Sequence, residues 1–168
     1  MSIGTNLGNQ GNKKDYVGVP YVFGAQSILA HLNTSYYHIH GKSFCRPDHA
    51  NSVLLTAGSG AWDLTGSITE VIPENSLDLH AFDLHWINIS DISANGQIQI
   101  DIYSGNAGEE VLIGSTRANR NSVFTTEGPK RIQIPQQLKN TRISCRLSDS
   151  TAGALTCRVS FEGHYYGA

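Results

Sequence analysis

The stretch Thr141-Arg-Ile-Ser-Cys-Arg-Leu147, the polar run from Ser148 to Ala154, and Leu155-Thr-Cys-Arg-Val-Ser-Phe161 decide the fold class. Successive side chains on a strand point to opposite faces. Folding the chain back at the polar run so that Leu147 meets Leu155 sets Cys145 opposite Cys157 and Ile143 opposite Val159. All six then share one apolar face, and Arg142, Arg146 and Arg158 share the other. A slip of one residue would expose the whole apolar row, so the pattern predicts a hairpin in this register.

Working outward, the same texture runs from about Ser52 to Tyr166. Gln97 to Tyr103 alternates cleanly, with Ile98, Ile100 and Ile102 predicted inward and Gln97, Gln99, Asp101 and Tyr103 outward. Leu77 to Ile89 reads as a long strand whose apolar set changes parity near Trp86 and Ile87, the mark of a β-bulge or of a bend between sheets. Shorter strands are predicted at Ser35 to His40, Ser52 to Thr56, Ala61 to Leu64, Ser67 to Ile72, Glu110 to Ser115, Ser122 to Thr126 and Lys130 to Ile134. Many short strands at regular spacing indicate a sandwich or barrel. The fold class is therefore all-β: a single antiparallel β-sandwich of jelly-roll type, with strand order left open.

At 168 residues the chain has room for one domain with a proper core. Residues 1–23 are set apart as a flexible N-terminal arm and 24–168 as the sandwich domain. The first twenty or so residues carry Gly4, Gly8, Gly11 and Gly18 among polar neighbours, with little to bury against the cost of ordering. Tyr16-Val-Gly-Val-Pro-Tyr-Val-Phe23 is different, an apolar and strand-prone segment suited to gripping a neighbour. Tyr16, Val17, Tyr21 and Phe23 are its candidate interface residues.

Charged residues are only 15% of the chain and the formal net charge is −2, so no general attraction to nucleic acid or to an anionic membrane is expected. No run approaches the roughly 20 apolar residues of a membrane-spanning helix. The N-terminus lacks the basic start and apolar core of a secretory signal, which predicts synthesis and first use in a cytoplasm. Three cysteines make a poor disulfide framework, and Cys145 and Cys157 read as buried thiols, with a bridge between them left open.

The residue types that carry chemistry give little. His38 and His40 lie two apart on a predicted strand, so both imidazoles face one way and can reach one metal. A cupin-like site begins in this manner, but the glutamate it needs does not follow, and a third ligand would have to be His80, His85 or His164. No nucleophilic serine motif, phosphate loop or facing carboxylate pair is legible, so no catalytic residue and no cofactor is assigned, and an enzyme is not expected. Tyr36, Tyr37, Trp62, Trp86, Tyr103, Tyr165 and Tyr166 are candidates for a sugar-stacking platform, although the Trp86 strand reads as core. Arg142, Arg146 and Arg158, on a face with nothing to bury, are candidates for protein–protein contacts.

Several phrases add a resemblance: Tyr36-Tyr-His-Ile-His-Gly41, Thr69-Glu-Val-Ile-Pro-Glu-Asn75, Asp83-Leu-His-Trp-Ile-Asn-Ile-Ser-Asp-Ile-Ser-Ala-Asn95, Ile102-Tyr-Ser-Gly-Asn-Ala-Gly-Glu-Glu-Val-Leu-Ile-Gly114, Ile134-Pro135 and Asn140-Thr-Arg-Ile-Ser-Cys-Arg-Leu-Ser-Asp-Ser150. Together, over roughly residues 34–166, they resemble small β-sandwich virion proteins of tailed bacteriophages. The resemblance implies a structural protein of the virion, assembled in the host cytoplasm: a capsid decoration or cement protein that binds the major capsid protein and itself, as a homodimer or homotrimer. A glycan-binding tail or fibre module is the alternative it allows, and a cupin-like metalloprotein is the second.

Overall fold

The computed structural model describes residues 43–77, 80–121 and 128–166. Within them nine strands form: β1 (Ser43–Arg46), β2 (Val53–Thr56), β3 (Thr69–Ile72), β4 (Phe82–Ser90), β5 (Gly96–Ser104), β6 (Val111–Arg120), β7 (Gly128–Arg131), β8 (Ile143–Asp149) and β9 (Thr156–Tyr165). They make two antiparallel sheets. One runs β1-β9-β4-β7, with β2 also on β9, and the other runs β3-β8-β5-β6.

β1 and β2 lie end to end along β9: Ser43 to Arg46 pair with His164 to Phe161, and Val53 to Thr56 with Val159 to Thr156. A single 3-10 turn, His49–Asn51, interrupts them, capped by the Asp48 carboxylate accepting from the Ala50 and Asn51 amides at 3.1 and 3.2 Å. Taken as one strand, β1 and β2 pair with the last strand, β3 with β8, β4 with β7, and β5 with β6. That nesting of first with last, inward to a central hairpin, is a long double ribbon rolled into a sandwich. It is the jelly-roll strand order.

The rolled ribbon corrects one expectation. β8 pairs with β3 and β5, whereas β9 pairs with β1, β2 and β4, so the two final strands belong to different sheets. Cys145 lies opposite Thr69 and Ile102, and Cys157 opposite Leu55, instead of opposite each other. The predicted facing still holds. Ile143, Cys145, Leu147, Leu155, Cys157 and Val159 all point into the interior and are buried. They meet across the sandwich, whose sheets pack face to face about 10 Å apart.

The polar run is therefore an arch between sheets. Its keystone is Asp149, the last residue of β8 and fully buried. Its carboxylate accepts from the Thr151 amide at 2.6 Å, the Thr151 hydroxyl at 2.7 Å and the Leu155 amide at 3.1 Å. Flanking bonds clamp the arch: the Ser150 amide donates to the Gln97 carbonyl, and the Ser93 amide to the Thr156 carbonyl.

The core is filled by Leu55, Ile72, Leu77, Phe82, Leu84, Ile87, Ile89, Ile98, Ile100, Ile102 and Phe161, all with essentially no exposure. Burying each contributes about 1.5–3 kcal/mol. Ile98, Ile100 and Ile102 point inward as predicted, but Asp101 and Tyr103, on the opposite face, are buried as well. The predicted strand at Ala61 to Leu64 is a turn instead. There the Asp63 carboxylate takes the Thr65 amide at 2.8 Å and hydroxyl at 2.7 Å, a local bond that competes with extended structure. The predicted strands at Ser35 to His40 and Ser122 to Thr126 lie outside the described residues.

The parity change in β4 is a β-bulge. Leu84 pairs with Gly163 and Trp86 with Glu162, which leaves His85 as the extra residue. The backbones come so close there that a Cβ on Gly163 would stand 1.9 Å from the Asp83 carbonyl oxygen. Only glycine fits opposite this bulge.

Candidate functional site

Arg142, Arg146 and Arg158 face away from the core as predicted, but their guanidinium groups are occupied within the chain. Arg142, with a side chain only 12% exposed, bonds Glu70 at 2.8 Å and Glu110 at 2.9 Å. Arg146, 21% exposed, lies 3.9 Å from Asp101, donates to the Tyr103 hydroxyl, and donates to the Leu64 carbonyl at 2.9 Å. Arg158, 42% exposed, donates to the Ser52 carbonyl at 2.5 Å and sits 3.9 Å from Asp91. The first two correct the reading of an open arginine face. Their planar forks tie strands and turns together, which removes most of their surface from solvent.

These ties extend across the outer face of the β3-β8-β5-β6 sheet. Arg117 stacks 5.4 Å from the centre of the Trp62 ring and donates to Gln99 at 2.9 Å, and Gln99 donates to Asp101 at 3.0 Å. Arg146 follows, lying 5.3 Å from the centre of the Tyr103 ring. Tyr103 ionises only above its ordinary range because burial disfavours the phenolate. Of the candidate stacking rings, Trp62 therefore has Arg117 against it, and Tyr103 and Tyr165 are buried. Trp86, read from sequence as core, is instead well exposed, because the bulge turns it outward while Leu84, Ile87 and Ile89 fill the interior.

The opposite outer face, on β4 and β9, carries the densest group of ligand-type side chains among the described residues. Asp83 pairs with His164 across the strands, and His85, two residues on, lies on the same face. The Asp83 carboxylate, 7% exposed, lies 2.9 Å from His85 Nε2. It accepts from the Tyr166 hydroxyl at 2.7 Å and from the His164 amide at 3.3 Å. The two imidazole rings stand 4.7 Å apart at 64°. Tyr166 is pushed up to about 12 by burial and by its bond to the Asp83 carboxylate, so it stays a neutral donor.

A looser group lies beside it. Cys45, on β1, is opposite Glu162, which accepts from Asn88 at 2.8 Å; His49 is 3.9 Å from both the Cys45 sulfur and the Glu162 carboxylate. By contrast, the inward faces of the described strands offer no histidine. The one carboxylate that points inward, Asp149, is taken up by the arch amides.

Of the histidines considered as third ligand, His85 and His164 come together and His80 contacts the Tyr165 ring instead, at 6.5 Å. Asp83 was not singled out with them. The signal was available in the two-residue spacing, which sets His85 on Asp83's face, but pairing with residue 164 depends on strand order. His38 and His40, with Tyr16, Val17, Tyr21 and Phe23, lie outside the described residues.

Arg142 and Arg146 are thus engaged within the chain, while several apolar side chains protrude. Val111 and Leu112, at the start of β6, are 63% and 55% exposed, and Leu138 is 77% exposed. All three lie at the end of the roll that carries the turns after β5 and before β8, joined where the Gly105 amide donates to the Arg142 carbonyl. β6 is an edge strand with β5 as its partner among the described strands. No protein-family model matches the chain, and no curated protein matches it either.

Proposed function

We propose that this chain is a structural protein of a tailed-phage virion, a decoration or cement protein that binds the assembled head through protein–protein contacts with the major capsid protein and with copies of itself. The observation that carries the reading is the division of labour on its surface. The outward arginines Arg142 and Arg146 brace the sandwich internally, while Val111, Leu112 and Leu138 are left protruding at one end. Exposed apolar side chains gathered at one end suit a contact with another protein, and an edge strand such as β6 offers backbone groups for the same purpose. Jelly rolls serve viral shells, lectins and cupins alike, so the fold supports the reading without selecting it.

Quantitative mass spectrometry of purified virions tests it. A copy number equal to the major capsid protein, or a simple fraction of it, is the expected result. A few copies per particle would shift the chain to the neck, tail or fibres, and absence from the virion would remove the proposal. Val111→Glu with Leu112→Glu should lower occupancy on the head while leaving the isolated protein folded.

A further inference from the structure

We propose that Asp83, His85 and His164 form a binding site for one divalent first-row transition metal ion, with zinc the best fit to the donor set. Two imidazoles and a carboxylate are ligands that suit zinc and its neighbours far better than calcium or magnesium, which prefer all-oxygen shells.

The geometry is close to what an ion needs. The ligand atoms of the three side chains all lie within 4.8 Å of one another. Donors bound to one zinc ion at about 2.0–2.1 Å stand roughly 3–3.5 Å apart. Asp83 and His85, at 2.9 Å, stand just inside that spacing. His164 closes the remainder by a shift on the order of 1 Å, within the reach of a side-chain torsion.

The surroundings are also those of a supported site. The Tyr166 hydroxyl, 2.7 Å from Asp83, and the His164 amide, 3.3 Å away, fix the carboxylate in orientation, the part that outer partners play around bound metals. Two-residue spacing sets Asp83 and His85 on one face, strand pairing places His164 opposite Asp83, and the bulge turns Trp86 outward beside them. The His85 side chain remains 24% exposed, which gives water a route to complete a four-coordinate shell. The neighbouring Cys45, His49 and Glu162 group is the competitor. Its His49 side chain is 66% exposed, against 24% for His85, which makes it the less organised of the two.

The test uses the full chain without a histidine tag, titrated with zinc and with cobalt(II) at neutral pH. Calorimetry should show one tight zinc equivalent, and X-ray absorption should show two imidazoles and oxygen, without sulfur, around the ion. His164→Gln and Asp83→Asn should each weaken zinc by at least about 100-fold, and Tyr166→Phe by about 10-fold, as loss of an outer partner does. The pair His38→Ala and His40→Ala should bind as the parent does. Absence of stoichiometric zinc binding by the parent chain overturns the proposal. So does sulfur in the X-ray absorption shell or a thiolate-to-cobalt charge-transfer band, either of which would move the ion to Cys45. Loss of binding in the His38 and His40 variant overturns it as well. The absorption measurement on the parent chain decides the matter even where a variant fails to fold.

Discussion

The buried Asp149 carboxylate accepts the Leu155 amide at 3.1 Å, and that bond spans the arch by which the chain leaves one sheet and enters the other. With Thr151 supplying two more donors, a single side chain satisfies the arch's inward-facing backbone. An amide in its place keeps the size but turns one acceptor oxygen into a donor facing N–H groups. Asp149→Asn should therefore cost about 1–3 kcal/mol in urea unfolding. Thr151→Ala, which removes the hydroxyl together with the γ-methyl, should cost about 0.5–1.5 kcal/mol. An Asp149→Asn midpoint equal to the parent's would show that the arch holds without the carboxylate.

Gly163 should be intolerant of any side chain. A Cβ there would meet the Asp83 carbonyl oxygen at 1.9 Å and the Phe44 ring at 2.9 Å, and the first is backbone that cannot swing aside. Gly163→Ala is expected to lower stability by at least about 1–3 kcal/mol, the usual cost of overpacking, and to perturb Asp83 and His85 signals in NMR spectra. A variant with parent-like melting and spectra would mean that the strands part there at little cost.

The thiols should react unequally. Burial pushes Cys157 up to about 12 and Cys145 well above its ordinary value, and both are enclosed. Cys45 is only half-buried, though burial raises it too, with a bond to Ser160 acting the other way. Because the thiolate is the reactive form, native protein at pH 8 should give one slow thiol equivalent with a disulfide reagent, and three after unfolding. Cys45→Ser should silence the native reaction. Rapid labelling of Cys145 or Cys157 in the native state would contradict their enclosure.

Acid should weaken the Arg142 tie in a definite window. The hydrogen bond from Arg142 holds the Glu110 carboxyl below its ordinary value. A carboxylate depressed on folding stabilises fully above its unfolded pKa of about 4.3, and that contribution fades as pH falls through the lower folded value. The stability gap between the parent and Glu110→Gln should be widest near neutrality and close below about pH 4. A gap that stays constant from pH 7 to pH 3 would rule out the charge as its source.

Legibility from sequence follows the range of each interaction. Alternation is local, and it correctly placed Ile98, Ile100 and Ile102, and the six residues flanking the arch, on inward faces. The bulge near Trp86 was also readable, since one extra residue shifts parity in the sequence itself. Partner choice is not local. Nothing within Ile143 to Phe161 says that Cys145 meets Ile102 and Cys157 meets Leu55, so proximity in sequence favoured a hairpin that the rolled ribbon does not make. The same limit hid the site: Asp83 and His164 become neighbours only through the pairing of β4 with β9. The partners of Arg142 were hidden for a related reason, because Glu70 and Glu110 reach it from other strands and turns.

β9 pairs with β1, β2 and β4, strands that precede it by some seventy to more than one hundred residues. In chain order, all three precede the strand that joins them. Long-range pairing of this kind closes slowly and leaves apolar surface and strand edges exposed to aggregation until it does. A chain cut before Thr156 would lack the strand that joins β1 and β2 to β4, and with it the middle of one sheet.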